Sequence, residues 1–328
     1  MRYAGTPLTI TALLLLLLGC AERASAQTSL RFYGNGTGDI DRVKIRIDDP
    51  SNAQPGPPAD VGATDFTIEL WLRGRLADNS AGAISCGSNI NWINGNIVLD
   101  RDRYNQGRKY GLSLGAGRLA FGVTDLSQSS RTLCSSASVL DDRWHHVALQ
   151  RRRADGQMWL YVDGKLEAQS AGPPGDISYP DDGTPGNYCG GPCTGSDPFL
   201  VIGAEKHDAG SAYPSFSGFV DELRISTMLR YSGASYVVPS APFVSDANTA
   251  ALYHFDEGQG DVIGDSSGAA GGPSDGVRRF GGTPAGPLWS SETPFSAPAA
   301  DGAIDGPAPS RDGGARDAAT DAVTDAAR

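Results

Sequence analysis

Between Thr28 and Trp289 apolar and polar side chains alternate in short runs, and Gly, Pro, Asn and Asp interrupt those runs at intervals of about ten residues. Alternation with a period of two sends successive side chains to opposite faces of a strand, so each run can offer one face to a core. Phe66, Ile68, Leu70 and Leu72 fall on one face of such a run, and Thr67, Glu69 and Trp71 on the other. The same pattern predicts strands at 29–33, 43–47, 66–73, 97–100, 109–114, 118–123, 145–151, 157–162, 199–203, 218–226 and 250–255. No stretch sustains a helical period. An all-β sandwich with one core over residues 28–289 is the expected architecture.

The two ends follow other rules. Arg2 precedes a mostly apolar run from Leu8 to Leu18, which has the length of a secretory signal and falls short of a membrane span. Residues 1–26 are therefore expected to be a signal peptide. Leu17-Leu18-Gly19-Cys20 looks like a lipobox, in which Cys20 would be lipidated, and this reading is favoured over ordinary cleavage after Ala24-Ser25-Ala26. Ala21 is not the aspartate that would retain a lipoprotein at the inner membrane. The expected place is thus the outer membrane or cell surface, with a secreted or periplasmic protein as the alternative. Any membrane contact would come through that anchor, since no second apolar run of membrane length follows. Residues 290–328, rich in Ala, Asp, Gly and Pro, cannot bury enough surface to offset ordering and are expected to be a disordered tail.

A formal net charge of −11 argues against a nucleic-acid partner. The one dense basic cluster, Arg151-Arg152-Arg153, is expected to be a solvated edge. Cys86, Cys134, Cys189 and Cys193 outlast either cleavage, and an even number in an exported chain predicts two disulfides. Of three pairings, Gly190-Gly191-Pro192 favours Cys189 with Cys193, which leaves Cys86 for Cys134. A zinc site is the rival, with only one C-x-x-x-C and no histidine near either half.

Several segments resemble laminin G/concanavalin A-like jelly rolls of the bacterial exported lipoprotein type. They are Ser29-Leu30-Arg31-Phe32-Tyr33-Gly34, Asp65 to Trp71, Arg143-Trp144-His145-His146-Val147-Ala148-Leu149 with Trp159 to Lys165, Phe216 to Ile225, and Leu252 to Gly260. The resemblance implies the jelly-roll β-sandwich fold. That fold carries lectins, adhesion modules, glucanases and inert spacers alike, so it does not by itself assign a function. It also implies a structural Ca2+, with Asp221 as the late-strand carboxylate and Asp39 and the Gly34 loop completing the shell. The alternative expectation is that Asp221 caps a turn or pairs with Arg224. Val162-Asp163-Gly164-Lys165 reads as a two-residue hairpin turn. His145 and His146, as strand neighbours, point to opposite faces, one expected half-buried and the other facing solvent.

Glucanases on this fold carry E-x-D-x-E or E-x-D-x-x-E along one strand, and neither spacing occurs here. Asp100 and Asp102 share a face but lie where a strand runs into a turn, so they read as solvated. The expected function is non-catalytic: binding or adhesion outside the cytoplasm, with a glycan or a surface protein as partner. A glycoside hydrolase or lyase with an unrecognised site, and a passive envelope spacer, are the alternatives. Loops at the sandwich ends are the natural ligand surface. Within them Trp92 and Tyr188, and after them Tyr179, offer flat rings for a sugar, unless they cover the loops' own small cores.

Overall fold

The computed structural model describes, besides Met1, residues 27–34, 41–183, 198–207, 209–279 and 283–295. Two antiparallel sheets carry these residues. The first runs from edge to edge as β10 (Lys165–Ala171), β9 (Gln157–Val162), β8 (His145–Arg151), β3 (Phe66–Gly74), β12 (Ser217–Ser226), β1 (Ser29–Tyr33) and β16 (Leu288–Ser290), with β13 (Thr249–Tyr253) paired to β12. The second runs as β14 (Val262–Ile263), β15 (Gly276–Arg279), β2 (Arg42–Arg46), β11 (Phe199–Ile202), β4 (Asn96–Arg101), β5 (Lys109–Gly115), β6 (Arg118–Thr124) and β7 (Ser130–Ser138). The all-β sandwich expected from the sequence is the fold observed.

The alternation in β3 works as its pattern requires. Phe66, Ile68, Leu70 and Leu72 enter the core, where they meet residues of the second sheet such as Leu112, Phe121 and Leu200. The other face of β3 is buried as well, because the chain after β12 lies across it. Thr67 Oγ1 donates to the Met228 carbonyl, and Gln150 Nε2 to that of Tyr231. Beneath this strap Glu69 has a fully buried side chain, 2.7 Å from Arg224 Nη2, 3.6 Å from Arg230 Nε and 3.3 Å from His146 Nε2. The solvent-facing histidine expected of the His145-His146 pair is therefore absent. His146 is under the strap, with Nδ1 2.8 Å from the Tyr236 hydroxyl, and His145 sits between Asp141 and Asp163 at 2.9 and 2.7 Å.

Asp163 and Gly164 both have positive φ, at 47° and 75°, as the hairpin reading demands. Arg151 departs from the solvated edge: it is buried, and its Nη2 donates to the Pro173 and Gly175 carbonyls. Cys86 and Cys134 are joined in a disulfide. Cys20, Cys189, Cys193, Tyr188, Asp39 and the tail from 296 onward lie outside the described residues. Among the described residues no helix is long and apolar enough to cross a membrane.

Candidate functional site

The outer face of the second sheet carries a small core of its own. β5 and β6 place Gly111 and Gly122 side by side there, and the absence of two side chains leaves a seat for the Trp92 indole. A Cβ on Gly122 would lie 1.7 Å from Trp92 Cδ1, and one on Gly111 would lie 2.1 Å from Cζ3. Trp92 belongs to a 3-10 turn, Asn91–Asn94, and packs with Ile97 and Ala120. It has no exposed ring face, at 0% exposure, and Tyr179 has almost none at 2%. Both were expected as sugar platforms. They instead cover the loops' own cores: Trp92 fills the double-glycine seat, and Tyr179 joins the main core while Arg101 and Arg103 lie over its ring.

Beside Trp92 the chain collects carboxylates. β4 pairs with β5 through a register shift between Ile97 and Leu99, so Val98 and Leu99 both reach the main core. A regular strand with Ile97 outward would turn Asp100 inward. The bulge reverses that phase and sets Asp100 opposite Gly111 on the outer face. Asp100 is 0% exposed, not solvated; its Oδ1 accepts the Asp102 amide at 2.5 Å and its Oδ2 the Lys206 amide at 2.8 Å. Burial, and then the neighbouring Glu205 and Asp102 charges, push its carboxyl up to about 7.

Strand order brings in the remaining groups. β11 lies antiparallel next to β4, and the segment leaving it, after bonding Gly203 to Val98, turns back so that the Lys206 amide reaches Asp100 and Glu205 and His207 come to Asp102. His207 Nδ1 is 3.2 Å from Glu205 Oε1 and 3.7 Å from Asp102 Oδ2. The His207 amide donates to Glu205 Oε2 at 2.5 Å. Lys109 Nζ stands 2.7 Å from Asp102 Oδ1 and donates to the Arg103 carbonyl at 3.2 Å. Tyr104 meets the His207 ring edge-on, with centroids 5.7 Å apart. Asp102, Glu205, Lys109 and Tyr104, though not His207, border a cavity of about 450 Å³ including its open mouth, which Trp92, Ile93, Ile97 and Tyr213 also line. The converging carboxylates come from two separate segments, not from one strand.

Of the calcium set implied by the resemblance, Asp39 lies outside the described residues, and Asp221 and Gly34 do not come together. β1 and β12 pair from Leu30 with Val220 to Tyr33 with Ser217, which puts Asp221 beside Ser29 and Gly34 beyond the other end. Five residue steps separate the two along the ladder, on the order of 16 Å, too far for one ion. Nor does Asp221 pair with Arg224, which is held by Glu69; Asp221 Oδ1 accepts the Glu222 amide at 2.9 Å. Burial, with Glu222 and Asp256 nearby, raises the Asp221 carboxyl to about 9.

The geometry can be set beside known proteins. A family model described as the concanavalin A-like lectin/glucanases superfamily matches residues 48–230, more than half of the chain. No curated protein matches it. Among solved structures, a candidate carbohydrate-binding protein from Bacteroides ovatus is similar at 15% identity and a TM-score of 0.43. That match covers 77% of this chain and 58% of the Bacteroides protein's length. A heptameric SAP-like pentraxin from Limulus polyphemus is similar at 14% identity and a TM-score of 0.39, over 62% of this chain and 77% of its own. Domains LG4-5 of the mouse laminin alpha1 chain are similar at 16% identity and a TM-score of 0.36, over 68% and 47%. By the family match, which takes in the carboxylates, the cavity wall and the strands that hold them, this chain belongs to the concanavalin A-like lectin/glucanases superfamily.

Proposed function

We propose that this chain is a non-catalytic carbohydrate-binding module acting outside the cytoplasm, and that the acidic cavity beside Trp92 is where its ligand sits. The observation that supports the reading is the convergence of Asp102 and Glu205 in a cavity that Tyr104, Tyr213 and the partly exposed Ile93 also line. Carboxylate oxygens accept hydrogen bonds from sugar hydroxyls, and the apolar face of a pyranose ring packs on aromatic and aliphatic carbon. A signal peptide ending in a lipobox at Cys20 would deliver the module to the cell surface. A surface protein as partner would have to present the same chemistry, a glycan or a hydroxyl-rich loop.

A glycan array probed with the wild-type chain and with Asp102→Asn tests the reading. The expected result is a defined set of sugars that the wild type binds and the variant does not. Equal binding by both, or no sugar bound by the wild type, overturns it.

One observation favours hydrolysis as a second reading: Asp100, held at about 7, could carry a proton beside Glu205 and Asp102. Its burial weighs against this, since a fully enclosed carboxyl with both oxygens accepting backbone amides cannot reach a glycosidic oxygen. Release of reducing ends from any sugar the array identifies would establish the hydrolase. Its absence over long incubation is the result the binding reading expects.

A further inference from the structure

We propose that Arg31 is the centre of an anion site on the outer face of the first sheet, and that it takes the carboxylate or sulfate group of an acidic sugar. The anion site rests on geometry and is separate from the acidic cavity of the second sheet; only the sugar that carries the anion rests on the function proposed above.

In the first sheet β1, β12 and β3 are neighbours, and their register sets Arg31 opposite Phe219 and Phe219 opposite Arg73. Residues so opposed share a face. Leu30, Phe32, Val220 and Leu72 take the core face, so this row points outward. It borders a cavity of about 510 Å³ including its open mouth, which Arg75, Asp78 and Asp142 also line. Small-molecule sites commonly hold about 300–1,000 Å³. Both aspartates are taken: Asp142 is 2.9 Å from Nε of Arg73, which Glu292 also holds, and Asp78 is 2.9 Å from Arg75 Nε. Arg31 makes no ion pair among the described residues.

The Arg31 guanidinium is already placed for an oxyanion. It lies over the Tyr33 and Phe219 rings, 4.9 and 5.0 Å from their centroids, which fixes its plane. Nη1 donates to the Phe32 carbonyl and, at 3.3 Å, to Ser217 Oγ. Nε and Nη2 have no partner among the described residues. Their N–H groups lie side by side on one edge, the fork that takes two oxygens of a carboxylate or sulfate. Burial holds the Arg31 pKa below its ordinary value, and a partly dehydrated cation gains more from an anion than a solvated one does. Trp144, half-buried, meets Phe219 with ring centroids 6.0 Å apart and supplies carbon for a sugar ring beside the charge. The net charge of −11 is screened beyond about 8 Å at physiological salt, whereas the fork acts at about 2.7–2.9 Å.

The full mature chain, at physiological salt and with chelator present, is titrated by calorimetry with oligosaccharides of pectate, alginate and chondroitin sulfate. Their methyl-esterified or desulfated forms, which keep the rings and lose the charge, serve as controls. The expected result is that at least one acidic sugar binds and its neutralised form binds at least tenfold more weakly. Arg31→Gln lowers the affinity at least tenfold, and Arg31→Lys, which keeps the charge without the fork, at least threefold. Arg152→Gln, at an arginine paired with Asp155 outside the cavity, leaves it unchanged. Because Arg31 also stacks on two rings, the wild-type protein is followed by NMR as well, where the Arg31 Nε–H signal shifts in a saturable way. No acidic sugar bound, neutralised forms bound as tightly, affinity insensitive to Arg31→Gln, or an Arg31 signal that stays in place overturns the site. Acidic sugars that bind Asp102→Asn as tightly as the wild type but fail with Arg31→Gln establish the site, and leave the acidic cavity to the neutral sugars of the array. Binding lost in Asp102→Asn and kept in Arg31→Gln overturns the site and keeps the proposed function.

Discussion

Gly122→Ala tests the seat on which the cavity wall depends. The added Cβ would fall 1.7 Å from Trp92 Cδ1, so the indole must lift or the sheet must bend. Overpacking of a filled core costs about 1–3 kcal/mol. The upper half of that range is expected here, because Trp92 is fully buried and its cluster is small. Trp92→Ala removes on the order of 200 Å² of buried apolar surface, worth roughly 5 kcal/mol at about 25 cal/mol per Å², and large aromatic truncations cost about 3–5 kcal/mol when measured. With the indole gone, the alanine methyl enters empty space and relieves the backbone entropy of a strand glycine, a gain of roughly 0.5–1 kcal/mol. The two substitutions should therefore be coupled by about 2–4 kcal/mol. Urea unfolding of the wild type, both single variants and the double variant measures the coupling, with unchanged slopes required for the comparison. Costs that add to within about 0.5 kcal/mol would refute the packing of Trp92 over Gly122.

Three other outcomes are expected. Cys86→Ser with Cys134→Ser opens a loop whose ends are 48 residues apart; chain entropy assigns that crosslink about 4 kcal/mol, and a urea midpoint unchanged by reduction would contradict it. Glu69→Gln leaves Arg224, Arg230 and His146 buried without their carboxylate, and should cost about 3–5 kcal/mol in the same unfolding assay; a loss under about 1 kcal/mol would show that the network is not paired as described. For His145, burial lowers the imidazole pKa, but hydrogen bonds from the ring to Asp163 and Asp141 outweigh it and the net shift is upward. The folded chain then holds that proton more tightly than the unfolded chain, so its stabilisation is full below the ordinary histidine range and is lost as pH rises through the raised value. A thermal melt followed across pH 5 to 9 should fall less steeply in His145→Gln than in the wild type, and parallel curves would reject the assignment.

The pattern of the chain shows the sandwich plainly wherever a strand has a core face. The ranges predicted at 29–33, 145–151 and 157–162 match β1, β8 and β9 to the residue. β7 and β10 have too few alternating apolar residues to be read, and both are edge strands, where one side lacks a partner and polar residues are tolerated. The burial of His146 and Glu69 was illegible for a different reason. It depends on the strap after β12 folding back over the first sheet, and alternation within β3 or β8 carries no sign of that. The site was hidden by a bulge and by topology. Counting by twos from Ile97 gives the wrong phase for Asp100, and Glu205 and His207 meet Asp102 only because β11 lies beside β4. Trp92 was noticed for its ring. The signal for its burial, glycines at matched positions of two paired strands, was present in Gly111 and Gly122 but could be used only once their register was known.

The most direct test of the acidic cavity as the ligand site is a titration of isoleucine-methyl-labelled protein with the best sugar from the array, followed by NMR. Ile93 and Ile97 line the cavity, while Ile68 and Ile225 lie in the main core. The account predicts that the Ile93 and Ile97 methyl signals move in a saturable way while those of Ile68 and Ile225 stay in place. Saturable binding that leaves Ile93 and Ile97 unmoved would contradict it and place the ligand elsewhere on the sandwich.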